Sequence, residues 1–111
     1  MTVNITERFD DVRVTCKANV YYEGRVVSHT VLFRDGSRKT LGVIHPGSYN
    51  FKTDAPEKME ITAGSCRVRQ AGEGQWELYQ AGAFFIVPGR SSFDIAVDEG
   101  IVQYICSFEP V

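Results

Sequence analysis

Long apolar runs are missing from this chain. The longest spans residues 83–88, six positions against the ~20 that a membrane-crossing helix needs. The N-terminus, MTVNITERFDD, has no basic segment leading into an apolar one, so no secretory leader is expected. An excess of positive charge is also missing. Twelve Lys+Arg stand against fourteen Asp+Glu, a formal net charge of −2, which argues against a nucleic-acid partner because phosphate backbones demand a basic face. Cysteine is scarce: Cys16, Cys66 and Cys106 lie 50 and 40 residues apart, form no C-x-x-C pair, and read as small apolar residues on strands. Histidine is scarcer still, with His29 and His45 each lacking a neighbouring ligand at metal-binding spacing. These absences leave a soluble, cytoplasmic protein with no membrane and no nucleic-acid partner as the expectation.

What is present is β-chemistry. Runs rich in Val, Ile, Phe, Tyr and Thr occupy residues 12–16, 18–22, 26–33, 39–44, 48–53, 58–63, 65–70, 75–79, 83–87, 93–97 and 101–108. Between them stand turn formers such as Arg34-Asp35-Gly36-Ser37, His45-Pro46-Gly47, Ala71-Gly72-Glu73-Gly74 and Pro88-Gly89. So many short strands in 111 residues, 43% of them hydrophobic, predict one all-β domain, a sandwich or barrel, over residues 1–111. Residues 1–8 are expected to form a flexible N-terminal tail.

Period-two alternation assigns faces. Tyr49, Phe51 and Thr53 share one side of their run, Met59 and Ile61 of theirs, Cys66 and Val68 of the next, and Phe93, Ile95 and Val97 of another. These sets are expected to face a common interior, with Lys52, Lys58, Arg67 and Arg69 outward. Glu57 shares parity with Met59 and Ile61, so it too is aimed inward, although Pro56 stands just before it.

Two segments carry the architecture. One runs from Gly47 through Thr53, Ala55 and Glu57 to Gly64, and the other from Gly82 through Pro88 and Arg90 to Phe93. Their spacing resembles the two motifs of the cupin superfamily, which implies a small jelly-roll β-barrel. The cupin metal ligands do not match: Thr53, Ala55 and Phe93 stand where three histidines belong. The chain therefore reads as a cupin without its metal.

Further segments narrow the resemblance, among them Lys17-Ala-Asn-Val-Tyr-Tyr-Glu-Gly24, Val26-Val-Ser-His-Thr-Val-Leu-Phe33, Asp35-Gly-Ser-Arg-Lys-Thr-Leu-Gly-Val43, Tyr79-Gln-Ala-Gly82 and Ser91-Ser-Phe-Asp94. In order, and over nearly the whole chain, they look like the pyrimidine/purine nucleoside phosphorylase family of small cupins. Gly89-Arg90 stands where that family often has Ala-Asn, and Gln70 where a proline is common. The resemblance implies a broad-specificity enzyme that converts a nucleoside and inorganic phosphate, its co-substrate, into free base and α-D-ribose 1-phosphate, with no metal or organic cofactor.

Facing and chemistry then suggest roles. Glu57 is the candidate catalytic acid, since an inward carboxyl needs polar partners and ribose hydroxyls supply them. Tyr49, Phe51, Phe93 and Tyr104 offer flat walls for a base, joined by Met59 and by the hydroxyl of Thr53. Arg90, Ser91 and Ser92 in one loop, with Arg25 as a further cation, are the candidate phosphate ligands. A homodimer is expected because so small a barrel has strand edges to cover, with residues 12–22 as the contact element. The alternative is a non-catalytic cupin that binds a nucleoside- or sugar-like ligand, since both readings need an aromatic-lined, polar-tipped pocket.

Overall fold

The computed structural model describes residues 5–108 and is all-β apart from one 3-10 turn at Tyr22–Gly24. The strands are β1 (Arg13–Val14), β2 (Asn19–Tyr21), β3 (Val26–Leu32), β4 (Arg38–Ile44), β5 (Gly47–Lys52), β6 (Glu57–Ala63), β7 (Ser65–Gln70), β8 (Glu77–Gln80), β9 (Phe84–Val87), β10 (Ser92–Val97) and β11 (Val102–Phe108). They match the apolar runs of the sequence to within one or two residues at each end.

Two antiparallel sheets result. The larger has the order β1-β3-β4-β11-β6-β9, with β2 also on β3; the smaller has the order β5-β10-β7-β8. The chain changes sheet at each step from β4 through β7, and again at each step from β8 through β11. Such switching is the jelly-roll solution to burying one face of each sheet. Val26, Ile44, Met59, Ile61 and Val102 of the larger sheet meet Tyr49, Val68, Phe93, Ile95 and Val97 of the smaller in one core. The all-β, cupin-like class follows, as two facing sheets.

One local expectation needs correction. Cys16 is exposed in a bend and not on a strand. Lys52, at the end of β5, is exposed as expected and also stands at the rim of the cavity between the sheets. The residue 12–22 run pairs with β3 of its own chain, as β1 and β2 in succession along one edge. Tyr21 and Tyr22 then close the open side of the sandwich. Their rings meet Phe51 edge-on at 5.9 and 5.6 Å, and the Tyr22 hydroxyl donates to the Asn50 carbonyl.

Of the tail expected over residues 1–8, residues 1–4 lie outside the described residues. Residues 5–8 are exposed and carry no strand, and residues 6–9 line a groove over the outer face of the larger sheet with Leu41, Val43 and Ile105. Arg67 and Arg69 do point outward. Each guanidinium pairs with a carboxylate across the smaller sheet, Arg67 with Asp98 at 2.8 Å and Arg69 with Asp94 at 3.1 Å, and both approach the Trp76 ring.

Candidate active site

A cavity of about 270 Å³ lies between the sheets, close to the smallest pockets that hold a small molecule. Its two walls differ in chemistry. The smaller sheet supplies Phe51, Phe93 and Ile95, with the two rings 5.8 Å apart and inclined by 31°. The larger sheet supplies a polar wall: Ser28 and Thr30 from β3, Thr40 from β4, Tyr104 and Cys106 from β11, and Glu57 from β6. Asn19 of β2 completes it, its side-chain amide donating to Ser28 Oγ and Thr30 Oγ1 at 3.2 Å each. That leaves the Asn19 carbonyl oxygen as an acceptor.

Parity explains the polar wall. Val26 and Ile44 are fully buried, at 0% and 1% exposure, so residues two and four positions from them on β3 and β4 point the same way. Those residues are Ser28, Thr30 and Thr40. Tyr104 pairs with Gly42 across the β11–β4 ladder, and its ring lies over the space a side chain at Gly42 would fill. Burial pushes the pKa of the Tyr104 hydroxyl well up, so it stays a neutral hydrogen-bonding group.

Glu57 is the first residue of β6 and keeps parity with Met59 and Ile61 despite Pro56. It is half-buried, and its Oε1 accepts a hydrogen bond from the Cys106 thiol at 3.5 Å. Desolvation raises its pKa, against smaller opposing effects from the Cys106 hydrogen bond and the Arg38 charge. Burial, then the neighbouring Glu57, pushes the Cys106 thiol far up in turn. Cys106 is therefore a neutral donor and not a nucleophile.

Thr53, one of the three positions at which the cupin resemblance expects a metal ligand, does mechanical work here. Thr53 Oγ1 donates to the Pro88 carbonyl at 2.6 Å and accepts from Ser91 N–H at 3.0 Å, while Thr53 N–H donates to the Ser91 carbonyl at 2.9 Å. Arg90 N–H donates to the Asp54 carbonyl at 3.1 Å, and a side chain at Gly89 would press on Asp54 and Pro56. These contacts clasp the loop before β6 to the loop before β10. Among the described residues, no three His, Cys, Asp or Glu side chains come together to hold a metal ion. The clasp frames a second cavity, lined by Asp54, Ala55 and Arg90, which shares Arg38, Glu57 and Phe108 with the first.

The structure thus brings together Glu57, Phe51, Met59, Phe93 and Tyr104 at the inner cavity, with Arg90 at the adjoining one. Five other candidates line neither cavity. Tyr49 is core: its hydroxyl donates to the carbonyls of His45 and Pro46, bracing the turn into β5. The Thr53 hydroxyl and the Ser91 backbone form the clasp, and Ser92 pairs with Lys52 at the start of β10. Arg25, exposed beyond the 3-10 turn, lines neither cavity. Residue-level reading passed over Asn19, Ser28, Thr30, Arg38, Thr40 and Cys106. Four of them share the parity of Val26 and Ile44 on β3 and β4, but the sequence of β3 mixes apolar and polar residues on both faces and does not mark that face as the inner one.

Comparison with known proteins agrees with this geometry over most of the chain. The pyrimidine/purine nucleoside phosphorylase family model matches residues 16–108. A pyrimidine/purine nucleoside phosphorylase of Cupriavidus taiwanensis is 60% identical over 102 residues, 92% of this chain and 96% of the relative. One of Burkholderia vietnamiensis is 57% identical over 101 residues, 91% of this chain and 94% of the relative. A crystal structure of a protein of unknown function from Acinetobacter sp. ADP1 is 49% identical with a TM-score of 0.89, covering 92% of this chain and 98% of that one. This chain belongs to the pyrimidine/purine nucleoside phosphorylase family.

Proposed function

We propose that the chain catalyses phosphorolysis of purine and pyrimidine nucleosides, releasing free base and α-D-ribose 1-phosphate. The observation that carries this reading is the two-faced inner cavity: an aromatic wall of Phe51 and Phe93 opposite a polar wall that ends at Glu57. Aromatic faces accept any base, because purines and pyrimidines share a π-face, while hydroxyls and an amide suit ribose. The relatives' shared activity name supports the same reaction. In the transfer, the C1′–N bond breaks as a phosphate oxygen bonds to C1′, through an oxocarbenium-like sugar. The departing base keeps the electron pair and takes a proton from the Glu57 carboxyl, which phosphate monohydrogen restores as its oxygen becomes the ester. No metal or organic cofactor enters this scheme.

Incubating the protein with a nucleoside panel, with and without phosphate, tests the reaction. Base and ribose 1-phosphate should appear in equal amounts, only with phosphate, and unchanged by EDTA. Equal base release without phosphate would mean a hydrolase. Activity lost to EDTA and restored by one metal would end the cofactor-free reading, and saturable nucleoside binding without turnover would favour a binding module.

The enzyme is further proposed to act in the cytoplasm as a homodimer; no helix among the described residues is long and apolar enough to cross a membrane. Val14 and Val20, 56% and 60% exposed on β1 and β2, keep residues 12–22 as the proposed contact element. Sedimentation equilibrium at micromolar concentration should give twice the chain mass, and Val20→Asp should halve it. A monomer mass for the wild-type protein would refute the dimer.

A further inference from the structure

We infer that the phosphate co-substrate is held in the outer cavity between Arg38 and Arg90, at the point where that cavity meets Glu57. This rests on the phosphorolysis reading and adds to it a location and a second cation that sequence reasoning did not select. The outer cavity, about 410 Å³, is lined by Arg38, Asp54, Ala55, Glu57, Arg90 and Phe108. It adjoins the inner one, with Arg38, Glu57 and Phe108 common to both. An anion there therefore faces whatever part of a nucleoside lies nearest Glu57.

Three observations bear on the two arginines. Neither guanidinium takes part in a salt bridge among the described residues, whereas Arg67 and Arg69 on the smaller sheet are both paired. Arg38 stands over the Phe108 ring, 4.0 Å from guanidinium carbon to ring centroid, which anchors it at the boundary of the two cavities. Arg90 adopts a left-handed backbone conformation, with φ at 51°, held by its N–H bond to the Asp54 carbonyl. A non-glycine residue in that region costs energy, and such strain persists where the surroundings impose it. Two guanidiniums offer forked donors that match phosphate oxygens. The opposing charges are the Asp54 carboxylate and Glu57, and the raised pKa of Glu57 lowers the repulsion it would exert.

Ser91, Ser92 and Arg25 then play no part in holding phosphate. None of the three lines either cavity. Lys52 is the competing cation, at the rim of the inner cavity.

The test is steady-state kinetics with phosphate and nucleoside varied separately, on the wild-type protein, Arg38→Ala, Arg90→Ala, the double variant and Lys52→Ala. Each arginine variant should raise the phosphate KM about tenfold, the scale of one lost charge-assisted hydrogen bond, and the double variant more. The nucleoside KM should stay within about twofold, and Arg→Lys at either position should recover part of the loss. An unchanged phosphate KM in both arginine variants, or one that responds only to Lys52→Ala, overturns the proposal. Titration with inorganic phosphate alone separates this from failure of the phosphorolysis reading. Saturable phosphate binding lost in the double variant upholds the site even if no base is released, and no saturable binding to the wild-type protein overturns it. A nucleotide arm distinguishes free phosphate from an ester. A nucleoside 5′-monophosphate that binds more tightly than its nucleoside, with the advantage lost in Arg90→Ala, would assign the arginines to the nucleotide and overturn the free-phosphate site.

Discussion

Glu57→Gln is expected to cut turnover by ~10²-fold or more while leaving the fold intact, because a positioned acid contributes on that scale. Glutamine keeps the size and an acceptor oxygen for the Cys106 thiol but has no proton to give the departing base. The stability of the variant should move the other way. Desolvation raises the Glu57 pKa above the ordinary carboxylate value, so the folded wild-type protein carries a cost for the ionised form. Below the ordinary value the carboxyl is protonated in both folded and unfolded states, and the cost vanishes. As pH rises through the raised folded value, the wild-type protein loses stability that the variant keeps. Thermal unfolding from pH 4 to 9 should therefore show the wild-type Tm falling relative to Glu57→Gln. The wild-type kcat should fall on the alkaline side over the same window. Wild-type-like turnover in the variant would remove Glu57 from the proton path. A Tm difference independent of pH would mean that burial does not govern this carboxyl.

Gly42→Ala is the second large effect, on stability as well as on the site. The Tyr104 ring lies across β4 at Gly42, and an added methyl would sit far inside van der Waals contact with the ring and its hydroxyl. Tyr104 is only 8% exposed, packed in the core cluster that includes Val26, Ile44 and Cys106, and cannot swing to solvent. Overpacking of this kind costs about 1–3 kcal/mol, or several degrees of Tm for a domain of this size. The displaced ring has the inner cavity as its free space, so the nucleoside KM should rise with the loss of stability. Tyr104→Ala made in the Gly42→Ala background supplies the control. If the ring is the obstacle, the double variant is less destabilised than the sum of the two singles, because the methyl then has room. Strict additivity, or a Gly42→Ala protein as stable as the wild type, would show that the ladder yields without strain.

The strands themselves were legible because each is a local pattern. Turn residues such as Arg34-Asp35-Gly36-Ser37 fold on their own terms, with Asp35 Oδ1 accepting hydrogen bonds from Ser37 N–H and Oγ. In β5, β6, β7 and β10 the apolar residues alternate cleanly, so the interior face could be read from one strand at a time. Glu57 fell on the inner face of β6 by the same arithmetic. β3 was not legible in this way. Val26, Ser28 and Thr30 alternate with Val27, His29 and Val31, and both faces mix apolar and polar residues. Only packing shows that the face carrying Ser28 and Thr30 is the inner one, while His29 accompanies Thr15 outside.

By itself the sequence determined an all-β chain with its strand positions, the inward aim of Glu57, and, through its motifs, the nucleoside phosphorylase resemblance. Only the tertiary structure decided which side chains share a cavity. Period-two alternation carries one bit per strand, the side a residue faces, and says nothing of which strand lies alongside. Glu57 and Cys106 stand 49 residues apart and meet because β6 pairs with β11. Arg38 and Arg90 border one cavity because Thr53, Asp54 and Gly89 draw two loops together at the end of the sandwich. Thr53 took the opposite course. Its side chain is buried, as alternation implied, but its hydroxyl is consumed by Pro88 and Ser91. A buried polar atom goes to its nearest partners, and only the folded chain determines which those are.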